Sequence, residues 1–105
     1  MNRFRELVGA SGAVYRFRLC EDLSELPAQA GNFVWISSEF SPDEVVCCGI
    51  ARSLLEVRAA SAAVLLRRPS SRLYLRLNVG RAVREAEHQD IVAAVQPLLI
   101  LAEAA

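Results

Sequence analysis

Three sets of side chains in this chain have types and spacings that could do chemistry. They are the vicinal thiols Cys47-Cys48, the lone imidazole His88, and seven arginines between Val57 and Arg84. Vicinal thiols could cycle between dithiol and disulfide, but adjacent residues of a strand point to opposite faces. With Cys20 the thiols number three, an odd set that supports no disulfide framework. They read as small buried hydrophobes. His88 has no second metal ligand at a recognisable spacing, so it reads as a surface residue and no metal site is expected. Trp35 and Tyr74 read as core or interface aromatics rather than base-stacking platforms.

The arginines carry the stronger signal. Formal net charge is zero, yet Glu21 to Glu56 holds seven acids and one base, Arg52. Val57 to Arg84 holds Arg58, Arg67, Arg68, Arg72, Arg76, Arg81 and Arg84 and no acid. Such a block could neutralise phosphates, and the candidate nucleic-acid contacts are Arg52, Arg58, Arg67, Arg68, Arg72 and Arg76. DNA is therefore an expected partner through residues 58–84. All twelve basic residues are Arg, which suits bidentate phosphate contacts and equally a GC-rich coding bias.

These groups need elements to position them. A chain of 105 residues, 53% apolar and 23% charged, suits a single compact domain over residues 1–105. Met1 to Ala10 lacks the apolar run of a secretory signal. The longest nearly uncharged stretch, Ala59 to Leu66, is far short of a membrane span. A cytoplasmic, soluble protein without a membrane partner is expected. Val14 to Leu19 alternates apolar and basic residues and predicts a half-buried strand. Glu21 to Ala30 reads as a loop, since Pro27 excludes a long helix. Phe33-Val34-Trp35-Ile36 predicts a buried strand.

Ser41-Pro42-Asp43-Glu44 has the letters of a helix start, which would allow one helix from Pro42 to Arg68. The β-branched and Cys-rich run Glu44 to Cys48 favours instead a strand, a turn at Gly49 and a helix from Ala51 to about residue 66. Arg72 to Asn78 predicts another strand, with Asn78 as its terminal turn residue. The Ala- and Glu-rich run from Arg81 to Pro97 is the best helix. The expected fold is α+β, a small mixed sheet with flanking helices in the order β-β-β-α-β-α.

Within that order, Leu26 to Phe33 (Leu-Pro-Ala-Gln-Ala-Gly-Asn-Phe) resembles the Leu-Pro…Pro-Gly-Ile-Tyr segment of the GIY-YIG nuclease family. Val45 to Leu54 is similar to the family's Val-Leu-Tyr-Ile-Gly-x-Ala-x-Asn-Leu segment. Asp90 to Pro97 is similar to its Asn/Asp-Leu-Ile-x-x-x-Arg-Pro ending. The resemblance covers residues 26–100, with Val14 to Leu19 as an added strand. It implies a Mg²⁺-dependent phosphodiesterase ancestry. In the family a tyrosine acts as base or water-orienting group, a glutamate holds the metal, and an arginine meets the phosphate.

Carried over by position, the first tyrosine is Phe33 and the second Cys47, followed by the motif's Gly49. The arginine position is Val57, with Arg58 one residue beyond. The glutamate position is His88, with Glu87 one residue before as a weak metal candidate. The closing asparagine is Ile100. On a helix a one-residue shift rotates a side chain by about 100°, and either Glu87 or His88 could face the sheet. The reading is a non-catalytic GIY-YIG-like binding module for nucleic acid or for a protein, through the arginines or the apolar tail Pro97 to Ala105. The alternatives are a Mg²⁺-dependent structure-specific endonuclease with migrated residues, Arg58 and Glu87 or His88, or an unrelated α+β interaction protein, a homodimer among the forms it could take.

Overall fold

The computed structural model describes residues 3–102. The alternating segment forms strand β2 (Val14–Cys20), which pairs antiparallel with β1 (Phe4–Val8). Then follow β3 (Gly31–Ser37), β4 (Glu44–Ala51), a 3-10 segment (Leu54–Ala60), α1 (Ser61–Arg67), β5 (Arg72–Leu77), α2 (Arg81–Val95) and β6 (Leu99–Leu101). The fold is α+β. Its strands form one mixed sheet in the order β1-β2-β5-β3-β4-β6, with only β4 and β6 parallel. No described helix is long and apolar enough to cross a membrane.

β3 lies near the middle of the sheet and every one of its residues is buried, because both faces are covered. One face packs Phe33, Trp35, Cys47 and Leu73 under Leu54, Val57 and Val64. This is the α1 face. The other packs Phe17, Val34, Ile36, Cys48 and Tyr74 under Ile91 of α2. This is the α2 face. Cys47 and Cys48 therefore enter different cores, and all three cysteines are free thiols.

The expected turn at Gly49, and the helix start that followed from it, need correction. Gly49 is not a turn: β4 runs through it to Ala51, with Gly49 opposite Phe33 and Ile50 opposite Asn32. Pairing with the central strand carries the chain past the glycine. A Cβ at Gly49 would meet the Phe33 ring, so the glycine is there to let an aromatic ring lie against the strand backbone. The following helix accordingly starts at Leu54, not Ala51, after the Ser53 hydroxyl accepts from the Leu55 N–H at 3.3 Å. It opens as a 3-10 segment before α1.

The favoured strand over residues 44–48 forms as part of β4, and the helix-start letters Ser41-Pro42 lie in the link between β3 and β4, so the alternative single helix from Pro42 to Arg68 does not form. The expected order β-β-β-α-β-α is present from β2 to α2, with β1 added before it and β6 after it. β1 buries only Leu7 fully, and three-residue β6 is too short to alternate. Neither has a pattern strong enough to be read without its neighbour.

Candidate functional site

On the α1 face, β3 and β4 bring Phe33, Cys47 and Gly49 together, and Val57 packs over them from the 3-10 segment. A cavity of about 280 Å³ opens here, lined by Phe33, Ile50, Ala51, Glu56, Val57 and Leu101. Its walls are mostly carbon. Desolvation pushes the buried Cys47 thiol up to about 11 and Cys48 to about 12, so neither is an available thiolate at neutral pH. Arg58 points elsewhere, donating to the Leu23 carbonyl at 3.1 Å, which ties the 3-10 segment to the loop after β2. Ile100 is exposed on edge strand β6.

Glu87 and His88 belong to the other side. α2 buries Arg84 and Ile91, and both Glu87 and His88 are half-buried beside that line. Burial lowers the His88 pKa. Glu87 Oε1 accepts from Arg76 Nε at 2.8 Å and from Asn78 Nδ2 at 3.0 Å. Asn78 Nδ2 also donates to Asn32 Oδ1 at 3.0 Å, while Asn32 Nδ2 donates to the Arg84 carbonyl at 2.9 Å. The sheet thus stands between Glu87 and the Phe33–Cys47 pair, because Asn32 and Phe33 are adjacent on β3 and point to opposite faces.

The family's Mg²⁺ does not fit this donor set. Glu87 already meets a guanidinium and an amide donor, and the next acid along α2, Asp90, is held by three donors. Ser11 gives it N–H and Oγ–H at 2.8 and 2.6 Å, and Tyr15 gives its hydroxyl at 2.7 Å. Those bonds lower the Asp90 pKa and raise that of Tyr15. Among the described residues no cluster of three or more His, Cys, Asp or Glu could hold a metal ion.

The arginine block is not one surface. Arg68 pairs with Glu44 at 2.7 Å and Arg81 with Glu85 at 3.0 Å. Arg76 is committed to Glu87 and to the Arg16 carbonyl, and Arg84 is buried with its NH1 on the Val79 carbonyl at 2.8 Å. Arg52, Arg67 and Arg72 are exposed, one near each of three different element ends. Charges segregated in sequence are therefore interleaved in space.

Sequence reasoning passed over two features. Asn32 is 2% exposed yet polar; a lone amide inside an otherwise apolar central strand was its available signal. The second is the part of the α1 face built from the β1–β2 hairpin. Phe4, Val8 and Val14 stay exposed there, and Arg16 lies 3.8 Å from the Phe4 ring centroid. Set against protein-family models, curated proteins and solved structures, the chain matches none of them.

Proposed function

We propose that this protein is a non-catalytic, degenerate GIY-YIG-like domain that binds an acidic protein surface. The observation that carries the reading is the separation of Glu87 from Phe33, Cys47 and Arg58 by the sheet. A constellation in hydrogen-bond reach is what general acid–base work needs, and the two halves face different cores. The order β3, β4, helix, β5, α2 follows the order that the resemblance implies.

A protein partner is favoured over nucleic acid by the hairpin face. Exposed Phe4, Val8, Val14 and Leu77 are interleaved with exposed Arg16 and Arg18. Apolar, aromatic and Arg side chains together have the composition of interface centres. A single-strand site wants several stacking aromatics along a basic groove, whereas on this face the described residues of the hairpin offer Phe4 alone, and Glu6 sits directly opposite Arg16. Free thiols at all three cysteines suit a reducing, cytoplasmic setting.

The test has two arms. Purified protein is incubated with labelled linear and branched DNA and Mg²⁺, and anisotropy is followed at about 50 and 200 mM salt. A labelled extended peptide of alternating Glu and Leu is then titrated into the wild type and an Arg16→Glu, Arg18→Glu variant. Peptide binding lost in the variant, with intact DNA throughout, is the expected result. Steeply salt-dependent DNA binding overturns the protein partner, and cleavage abolished by Glu87→Ala overturns the non-catalytic reading.

A further inference from the structure

The sheet ends in two edges of opposite character, β1 at one side and β6 at the other. A strand edge presents backbone N–H and C=O groups to any further strand, and native edges are defended by charged side chains. β1 is defended. Near its centre Arg5 lies on one face, bonded to Asp43 at 2.7 Å, and Glu6 lies on the other. Full antiparallel overlap of β1 with a copy of itself sets Glu6 against Glu6, and a slip of two residues sets Arg5 against Arg5. Like charges directly opposite each other disfavour pairing.

β6 has no such defence. From Pro97 to Ala102 the chain carries no charged residue. Leu99 and Leu101 pack against the α1-face core, whereas Ile100 between them is 55% exposed and Leu98 is 48% exposed. The parallel pairing with β4 uses one side of β6, and no described strand lies on the other. Antiparallel overlap of β6 with a copy of itself places Ile100 opposite Ile100, with Leu99 opposite Leu101 on either side. Every pair is apolar, and each residue stays on its own face, as antiparallel register requires. Leu101 also borders the cavity of about 280 Å³ beside Phe33 and Val57, so Leu99 of the second copy comes to lie next to that apolar opening.

We infer that β6 is a dimer edge: two copies of this chain join antiparallel through Leu99–Leu101, about a two-fold axis at Ile100, into one continuous sheet. The contact is closed, because it uses both uncharged edges and leaves only the charged β1 edges outside. Three strand residues from each copy make a small interface, so the dimer forms and dissociates with concentration. The hairpin faces lie at the two far ends of the joined sheet, and the dimer does not depend on the partner assigned to them.

Sedimentation velocity on the full chain between about 10 µM and 1 mM tests this. The wild type is expected to pass from monomer to dimer and no further. Ile100→Lys, which sets two ammonium groups against each other at the axis, is expected to weaken the dimer about tenfold. Leu66→Lys is the control, at a residue 86% exposed on α1, and is expected to leave the dimer unchanged. Ile100→Cys gives an independent reading. Under mild oxidation it should form a disulfide-linked dimer, which the wild type, with Cys47 and Cys48 buried, should not. Monomer alone across the whole range overturns the inference. So does an Ile100→Cys variant that fails to crosslink, or a wild type that crosslinks as readily through Cys20. Association weakened equally by Leu66→Lys and Ile100→Lys overturns it too, as does growth beyond a dimer, the sign of β1 pairing with β6.

Discussion

The two faces of the sheet use the same central strand in opposite ways. On the α1 face β3 presents Phe33 and Trp35 to a nearly all-carbon core, with Gly49 making room for the Phe33 ring. On the α2 face, one residue away, β3 presents Asn32 to a chain of hydrogen bonds through Asn78 and Glu87 to Arg76. The carbon face is held by volume and contact, which tolerate little change in shape. The polar face is held by direction, since each member satisfies a neighbour that would otherwise be buried and unpaired. A phosphodiesterase site needs its acid and its base on one face. In this molecule Glu87 lies on the α2 face, and Phe33 and Cys47 lie in the α1 face.

The largest expected effect tests the carbon face. Phe33→Ala should cost about 4 kcal/mol and Gly49→Ala about 3 kcal/mol by overpacking, both read from guanidinium unfolding. The informative measurement is the double variant. If Gly49 serves only the ring, its penalty should largely vanish in the Phe33→Ala background, giving strong non-additivity. Additive penalties would mean that Gly49 is needed for some other reason.

Next comes the polar face. Asn32→Ala leaves the Arg84 carbonyl and an Asn78 donor without their partner and should cost about 2 kcal/mol. Glu87→Ala removes the acceptor shared by Arg76 and Asn78 and should cost about 1.5 kcal/mol. Glu87→Gln retains an oxygen there and should lose less. Equal losses for Gln and Ala would show that charge, not acceptor geometry, holds this face.

The smallest effect is the pH dependence of the rim. Asp90 is depressed in the folded state, first by the Ser11 hydroxyl and then by Tyr15. Its contribution is therefore present above about pH 4, the unfolded value, and is lost as pH falls through the folded one. Tyr15 is raised, first by its bond to Asp90, so its share is present below about pH 10 and lost at higher pH. His88, lowered by burial, removes stability as pH drops below about 6.5. In urea unfolding, Asp90→Asn should flatten the acid limb below about pH 4 while leaving the His88 limb in place. A full acid limb in that variant would locate the titration elsewhere.

Most of the framework was legible before any coordinates. Val14 to Leu19 and Arg72 to Asn78 alternate, Phe33 to Ile36 is β-branched and aromatic, and Arg81 to Pro97 is rich in Ala and Glu; each holds the element it predicts, to within a residue or two at its ends. Gly49 misled because a glycine ends a strand by local rules, whereas here the reason for it lies across the sheet in Phe33. β1 and β6 were silent because an edge strand draws its order from one neighbour. The site was less legible still. Nothing local tells Glu87 from His88, and both turn out half-buried on the far side of the sheet from Cys47.

The sequence by itself determined the class of fold and the apolar framework, because those depend on residue type and short-range period. Only the tertiary structure decided which charges meet. It paired Arg68 with Glu44 and Arg76 with Glu87, dispersing a basic block that is continuous in the chain. It also gathered Cys20, Trp35 and Ser71, far apart in sequence, around one cavity. Strand order and face are long-range quantities, and no window of residues contains them.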